Sequence, residues 1–286
     1  MMKRKSRLWI ALTGCLLAAG ILTGCGEKVT TESLLKDLNE NYKQAESLKG
    51  DLKLDVDLGI EESGVSMNMG MGMDGSIEAT SSPATMHMDG NLNVDLMGLK
   101  MNFEMYSVEE DEKVNVYMKI ADQWTKTEET IEKSKDTEKP KEIDFEDLFD
   151  EGLTLSDKTE KMDDKEVYVL EGKLNGKEME KQIASLQEEL KEAFKDVDFE
   201  KMDIPMILKV YKDSKLPASV EMDMNSFVSE IFKVAMDEGE QGNMTAKTCL
   251  LTMTFKEYDT VDAIEIPKEA LDAVEQNLSD LAEEAL

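Results

Sequence analysis

The chain has 286 residues, 41% of them hydrophobic, which is enough for a sizeable core in one large domain or two small ones. Its formal net charge is −30; past residue 24 the chain keeps 29 basic and 63 acidic residues, a net of −34. Such a surface repels nucleic-acid phosphates and anionic lipid head groups, so no nucleic-acid partner is expected and membrane contact must come by another route.

That route is written in the first residues. Lys3, Arg4, Lys5 and Arg7 precede an apolar run from Leu8 to Leu22. As a helix this run would span roughly 22 Å at 1.5 Å per residue, short of a hydrocarbon core of about 30 Å. A basic start, a short apolar run and small residues at its end make a secretory signal peptide. Leu22-Thr23-Gly24-Cys25 resembles the lipobox of bacterial lipoproteins. The resemblance implies a diacylglyceryl group on the Cys25 sulfur and cleavage between Gly24 and Cys25; two acyl chains give stable anchoring where one is marginal. The expected organisation is residues 1–24 as signal peptide, 25–30 as a lipidated tether and 31–286 as one domain on the extracytoplasmic face of the cell membrane. Cys15 lies in the signal, so Cys249 is the one cysteine of the folded part and no intrachain disulfide forms there. In the run Cys249-Leu250-Leu251 it reads as a small buried hydrophobe.

After the tether, Thr31 is placed to cap a helix whose face carries Leu34, Leu38, Tyr42, Ala45 and Leu48, with Gly50 ending it. The period then drops to two. Leu52, Leu54, Val56, Leu58 and Ile60 alternate with polar residues, as do Val65, Met67, Met69, Met71 and Met73. Met86, Met88, Leu92, Val94 and Leu96 continue across Gly90, read as a bulge or bend. Leu99, Met101, Phe103 and Met105 follow, then Val114, Val116, Met118 and Ile120, and Trp124 beyond. This predicts an antiparallel meander with one dry and one wet face.

Residues 127–142 are almost all charged and read as an exposed loop, followed by a short docking helix at Phe145, Leu148 and Phe149. A strand is expected around Val167 to Leu170, and a long helix from Asn175 through Met179, Ile183, Leu186, Leu190 and Phe194. Strands return at Ile204 to Val210 and Val220 to Met224, with a turn at Asp213 to Pro217. A short helix is expected at Phe227, Ile231 and Val234, a loop at 239–243 and a last strand at Leu251, Met253 and Phe255. Pro267 opens a terminal helix with Leu271, Val274, Leu278 and Leu281 inward. The fold class expected is α+β: a curved antiparallel sheet, an incomplete barrel, with helices packed on its concave face.

Three segments carry a resemblance. They are Leu48-Lys49-Gly50-Asp51-Leu52-Lys53-Leu54-Asp55, then Val116-Tyr117-Met118-Lys119 with Trp124-Thr125-Lys126, and Val210-Tyr211-Lys212-Asp213-Ser214-Lys215-Leu216-Pro217. In this order, over roughly residues 31–262, the chain resembles the half-barrel lipoproteins, which include LolA-like lipoprotein carriers and mycobacterial lipid-binding lipoproteins. It resembles in particular the lipoproteins of that type from Firmicutes. The resemblance implies an apolar cavity for acyl chains or lipidated proteins and no fixed catalytic residue.

Nine methionines lie between Met67 and Met105. Three readings fit them: ordinary core filling, an adaptable wall for an apolar ligand, or thioether ligands for Cu(I). Met86-His87-Met88 draws the eye for copper, yet on a strand His87 faces away from both methionines. His87 is the one histidine, which excludes multi-histidine metal centres and H-E-x-x-H proteases. No G-x-S-x-G, Walker or dinucleotide motif occurs, and carboxylate pairs are too common to mark a glycosidase. No enzyme activity, cofactor or metal centre is expected. The expected activity is carriage of an apolar molecule, a lipid or acyl chain, against Leu54, Val56, Met67, Met69, Met71, Met88, Val94, Met101 and Phe103. The helix from residue 31 or that of residues 176–194 is the candidate lid. The rival is an envelope module with a filled core that acts through a protein partner.

Overall fold

The computed structural model describes residues 29–62, 65–95, 98–110, 113–120, 122–130, 145, 153–174, 197, 199, 202, 204–237 and 242–275. Residues 1–28, with the expected signal peptide and Cys25, most of the 131–152 region, the long helix expected from Asn175 and residues 276–286 lie outside them. The strands are β1 (Ser47–Glu62), β2 (Val65–Ser81), β3 (Ala84–Val94), β4 (Leu99–Glu110), β5 (Lys113–Ile120), β6 (Gln123–Thr130), β7 (Thr154–Leu155), β8 (Glu160–Met162), β9 (Lys165–Lys173), β10 (Pro205–Tyr211), β11 (Pro217–Asp223), β12 (Gly242–Tyr258) and β13 (Val274–Glu275). Among the described residues three helices accompany them: α1 (Thr31–Tyr42), α2 (Asn225–Asp237) and α3 (Lys268–Leu271).

All strands join one open sheet in the order β13-β6-β5-β4-β3-β2-β1-β12-β11-β10-β9-β7, with β8 paired to β9. Every pairing is antiparallel except β13 with β6. The described residues are therefore mostly β, with few helices among them, and the sheet does not close into a barrel. The meander of β1 to β6 follows the alternation in the sequence, because each strand offers an apolar side for burial and a polar side for water.

Several boundaries differ from expectation. The cap of α1 is Thr30, whose hydroxyl accepts from the Ser33 amide while the Ser33 hydroxyl accepts from the Thr30 amide. The helix stops at Tyr42, and Leu48 and Gly50 belong to β1, between β2 and β12. Gly50 ends no helix; it sits beside a register shift in β12, where a Cβ would collide with the Thr254 carbonyl. Gly90 is no bulge either: it stays in register opposite Gly75. A Cβ on Gly75 would come within 2.6 Å of the Asp89 carbonyl oxygen, and one on Gly90 within 2.7 Å of the Gly75 Cα. The backbones of β2 and β3 approach too closely there for side chains.

The last strand, β12, has 17 residues rather than a handful, because it pairs with β1 along that strand's length. The terminal helix is one short turn. After Asp272 the chain adds Val274 and Glu275 to the edge of β6, and Leu271 and Val274 are 53% and 72% exposed rather than inward. The β8–β9 hairpin was not legible in the apolar pattern. Its two-residue turn uses Asp163 (φ 47°) and Asp164 (φ 64°), both in the left-handed region that such tight hairpin turns require.

The main core lies where α1 crosses the sheet. Leu34, Leu35 and Leu38 pack with Leu170, Met206, Leu208 and Val210, and Phe145 joins them. Asn39 Oδ1 accepts from the Phe145 amide at 3.0 Å, and the Tyr42 and Phe145 rings meet edge to face at 5.4 Å. Asn41 Nδ2 donates to the Ser214 carbonyl at 2.8 Å, tying the helix to the β10–β11 turn. Leu34 and Leu38 are fully buried, so α1 is a core element and not a cover for the methionine strands. A second core forms where Val228 and Phe232 of α2, with Met224, pack on Val56, Leu58 and Cys249.

Candidate functional site: an uncharged face on β2 to β5

In an antiparallel sheet directly opposed residues point to the same side. The registers therefore give rows that can be followed across the molecule. One runs Met206, Met222, Leu251, Leu54, Met73, Leu92 and Met101, over seven strands from β10 to β4. The next runs Leu170, Leu208, Val220, Met253, Leu52, Gly75, Gly90, Phe103 and Ile120. On this side of β1 to β5, from Leu48 to Ile60, Met67 to Ala79, Met86 to Val94, Leu99 to Ser107 and Val116 to Ile120, no inward position carries a charge.

All nine residues singled out from the sequence share this side, but they divide into two groups. Leu54, Val56, Met69 and Met71 belong to the cluster around Leu58 and Cys249 that α2 joins through Val228 and Phe232. Val56 is buried with Cys249, whose thiol burial pushes up in pKa, with Asp223 adding to the shift. Met88, Val94, Met101 and Phe103 belong to no buried cluster among the described residues and are half-buried. Met67 is 39% exposed at the end of the same face. The registers add residues that the sequence reading left out: Met73 between Leu54 and Leu92, and Met105 between Met88 and Met118. Period-two alternation marked each of them as inward; only the pairing shows that they adjoin.

This open part is broad. Met86 to Val94 spans roughly 27 Å at about 3.3 Å per residue, and β2 to β5 span roughly 14 Å at about 4.8 Å between strands. One leaflet's acyl chains are about 15 Å long, half the hydrocarbon core. Leu99 and Ile120 at its rim are 36% and 44% exposed.

The opposite side is polar. Lys49 pairs with Glu78 at 2.7 Å, Lys113 with Glu128 at 2.5 Å, and Lys256 with Asp51. Such exposed pairs each contribute little. A shallow cleft of about 400 Å³ opens here over Gly75 and Gly90, lined by Asp51, Lys53, Asp74, Ser76, Asp89 and Asn91. Its polar lining does not suit an apolar ligand. Farther along, the C-terminal segment crosses this side: Ile264, Ile266 and Ala270 pack on Tyr106, Val108, Tyr117 and Trp124. His87 lies here too, stacked on Tyr106 with ring centroids 4.3 Å apart. Its Nε2 is 3.5 Å from Glu104 Oε1 but makes no hydrogen bond. Burial and the hydrogen bond to Glu104 push the Tyr106 hydroxyl pKa up. With His87 on this side and Met86 and Met88 on the other, the three do not form one ligand set. Among the described residues no group of three His, Cys, Asp or Glu is placed to hold a metal, and no helix is long and apolar enough to cross a membrane.

Residues 30–275 match the model of a family of unknown function, DUF6612. The chain belongs to this family. No curated protein matches it. Among solved structures, this DUF6612 member is similar to LprF from Mycobacterium bovis, at 12% identity over 84% of this chain and 96% of that one, with a TM-score of 0.41. It is also similar to a domain named for outer membrane lipoprotein sorting from Vibrio parahaemolyticus, at 12% identity over 85% and 97%, TM-score 0.25. A LolA superfamily protein from Nitrosomonas europaea matches at 10% identity over 82% and 96%, TM-score 0.21. The likenesses are loose, and the face described above stands on the strand registers.

Proposed function

We propose that this DUF6612 member is a lipid-anchored extracytoplasmic carrier that holds an apolar molecule, a lipid or acyl chain, on the uncharged face of β2 to β5. One observation carries the reading. In a chain with a net charge of −30, a surface four strands wide bears no charge, and no described element packs on it as α1 packs on Leu170, Met206 and Leu208 or α2 on Val56, Leu58 and Cys249. A large apolar patch left half-open marks a binding surface rather than a finished core. Each methylene of a chain laid on it contributes roughly 0.8 kcal/mol, so a long chain binds after ordering costs are met. Methionine suits the task because its unbranched thioether adapts to ligands of different shape.

The anchor is the lipid on Cys25 after removal of residues 1–24, with 25–30 as tether and the rest of the chain as one domain. No catalysis is assigned. Two experiments test the reading. Incorporation of labelled palmitate is expected in the native chain and lost in Cys25→Ser; equal labelling of both would remove the anchor. Fluorescent phospholipid transferred from vesicles to the chain beginning at Gly26 is expected to fall at least about tenfold in Leu92→Lys with Met101→Lys, since a charge on an apolar face is costly to desolvate. Transfer at the native level would contradict the carrier reading and favour the rival, a partner protein docking at Leu99 and Ile120.

A further inference from the structure

Within the uncharged face, Met88, Met105 and Met118 stand directly opposite one another on β3, β4 and β5. Met86 flanks them two positions along β3, and Met101 and Met73 lie in a nearby row. All six are half-buried. Met206, on the same side of the same sheet beneath α1, is 2% exposed. Besides its flexibility, the thioether brings one property that leucine and isoleucine lack, a nucleophilic sulfur lone pair.

We propose that the methionines of β3 to β5, centred on Met88, Met105 and Met118, are a modification site for two-electron oxidants of the peroxide class. The sulfur takes one oxygen atom from the peroxide and its O–O bond breaks. The sulfur is oxidised by two electrons, the peroxide is reduced, and water leaves. The product sulfoxide is polar and chiral. Formed on this face it turns an uncharged apolar wall into a polar one and releases an apolar occupant, while the core around Met206 keeps the sheet folded. Release rests on the carrier reading; the order in which the methionines react does not.

The test uses the chain from Gly26 on, which keeps every element described above. It is treated with graded hydrogen peroxide, mapped by peptide mass spectrometry, and titrated with the neutral apolar dye Nile red. The expected result is oxidation of Met88, Met105 and Met118 about tenfold or more ahead of Met206, with a matching loss of dye affinity, unchanged far-ultraviolet circular dichroism, and recovery after treatment with methionine sulfoxide reductases. In the triple variant Met88→Leu, Met105→Leu and Met118→Leu, close in volume, dye affinity is compared before and after peroxide, and most of the variant's own starting affinity should survive the treatment. Oxidation of Met206 at the same rate as the row overturns the site. Full dye affinity in the oxidised chain, or equal sensitivity of the triple variant, overturns the release. Absence of dye binding by the untreated chain sinks the carrier reading and the release with it, and the oxidation order then upholds or overturns the site alone.

Discussion

Met206, Leu208 and Val210 on β10 and Met101, Phe103 and Met105 on β4 lie on the same side of one sheet, and the rows of the sheet join them. They differ in what lies above them. Over β10, α1 brings Leu34 and Leu38 into contact and the residues are sealed. Over β4 no described element does this, and the residues stay half-open. The composition differs in step: branched residues dominate the sealed half, methionine the open half. Rigid side chains fill a fixed volume well, and flexible ones suit a surface whose partner changes. One continuous apolar face thus serves for stability at one end and, in the reading proposed here, for binding at the other.

Substitutions sharpen this contrast. The largest effect is expected from Leu208→Ala, which empties a fully buried site under α1 and should cost about 2–5 kcal/mol in urea unfolding. Gly90→Val comes next. Its side chain would collide with the Asp74 and Gly75 backbone, and a loss of roughly 1–3 kcal/mol is expected; a neutral result would mean that β2 and β3 separate more easily than their registers imply. Tyr211→Phe removes the hydroxyl that donates to the buried Phe255 carbonyl at 2.8 Å and should cost about 1 kcal/mol. Met101→Ala on the open half should cost clearly less than Leu208→Ala in the same assay, because Met101 is only partly buried where Leu208 is fully buried. A cost equal to that of Leu208→Ala would erase the distinction between the halves.

The smallest effect concerns acid. The hydrogen bond from Lys212 Nζ holds the Glu166 carboxyl below its ordinary range, as the hydrogen bond from Lys113 does for Glu128. A depressed carboxyl pKa adds stability above the unfolded-state value, and that stability is lost as pH falls through the lower folded value. Both pairs are solvent-exposed. Lys212→Met should therefore leave stability nearly unchanged at neutral pH and slightly flatten the loss of stability below the ordinary glutamate range, read from urea midpoints against pH.

The strands of the open half were legible because alternation there is strict: Met67, Met69, Met71 and Met73 leave no choice of inward side. What the sequence did not contain was the pairing that sets Met105 between Met88 and Met118, since register depends on turns such as Ser82-Pro83 and on the glycines opposed at 75 and 90. Helical spacing misled at both ends. Ala45 and Leu48 extend the stripe of α1, yet the backbone from Ser47 finds hydrogen-bond partners on both sides in β2 and β12, and the sheet wins. Leu271 and Val274 fit a helix stripe, but the chain leaves the helix at Asp272 to pair with β6. The full length of β12 was hidden because a register shift between Asp57 and Leu58 leaves Lys247 as an extra residue in β12 and breaks the alternation between Ala246 and Cys249. The side of His87 followed from alternation alone, whereas its stacking on Tyr106 needed the β3–β4 register.

The most direct test of the account is native mass spectrometry with organic extraction on the chain beginning at Gly26, beside its Leu92→Lys, Met101→Lys variant. The account predicts a co-purified or added lipid of defined mass on the native chain and its loss from a folded variant. A clean unliganded mass for the native chain, with no uptake of added fatty acids or phospholipids, would contradict it.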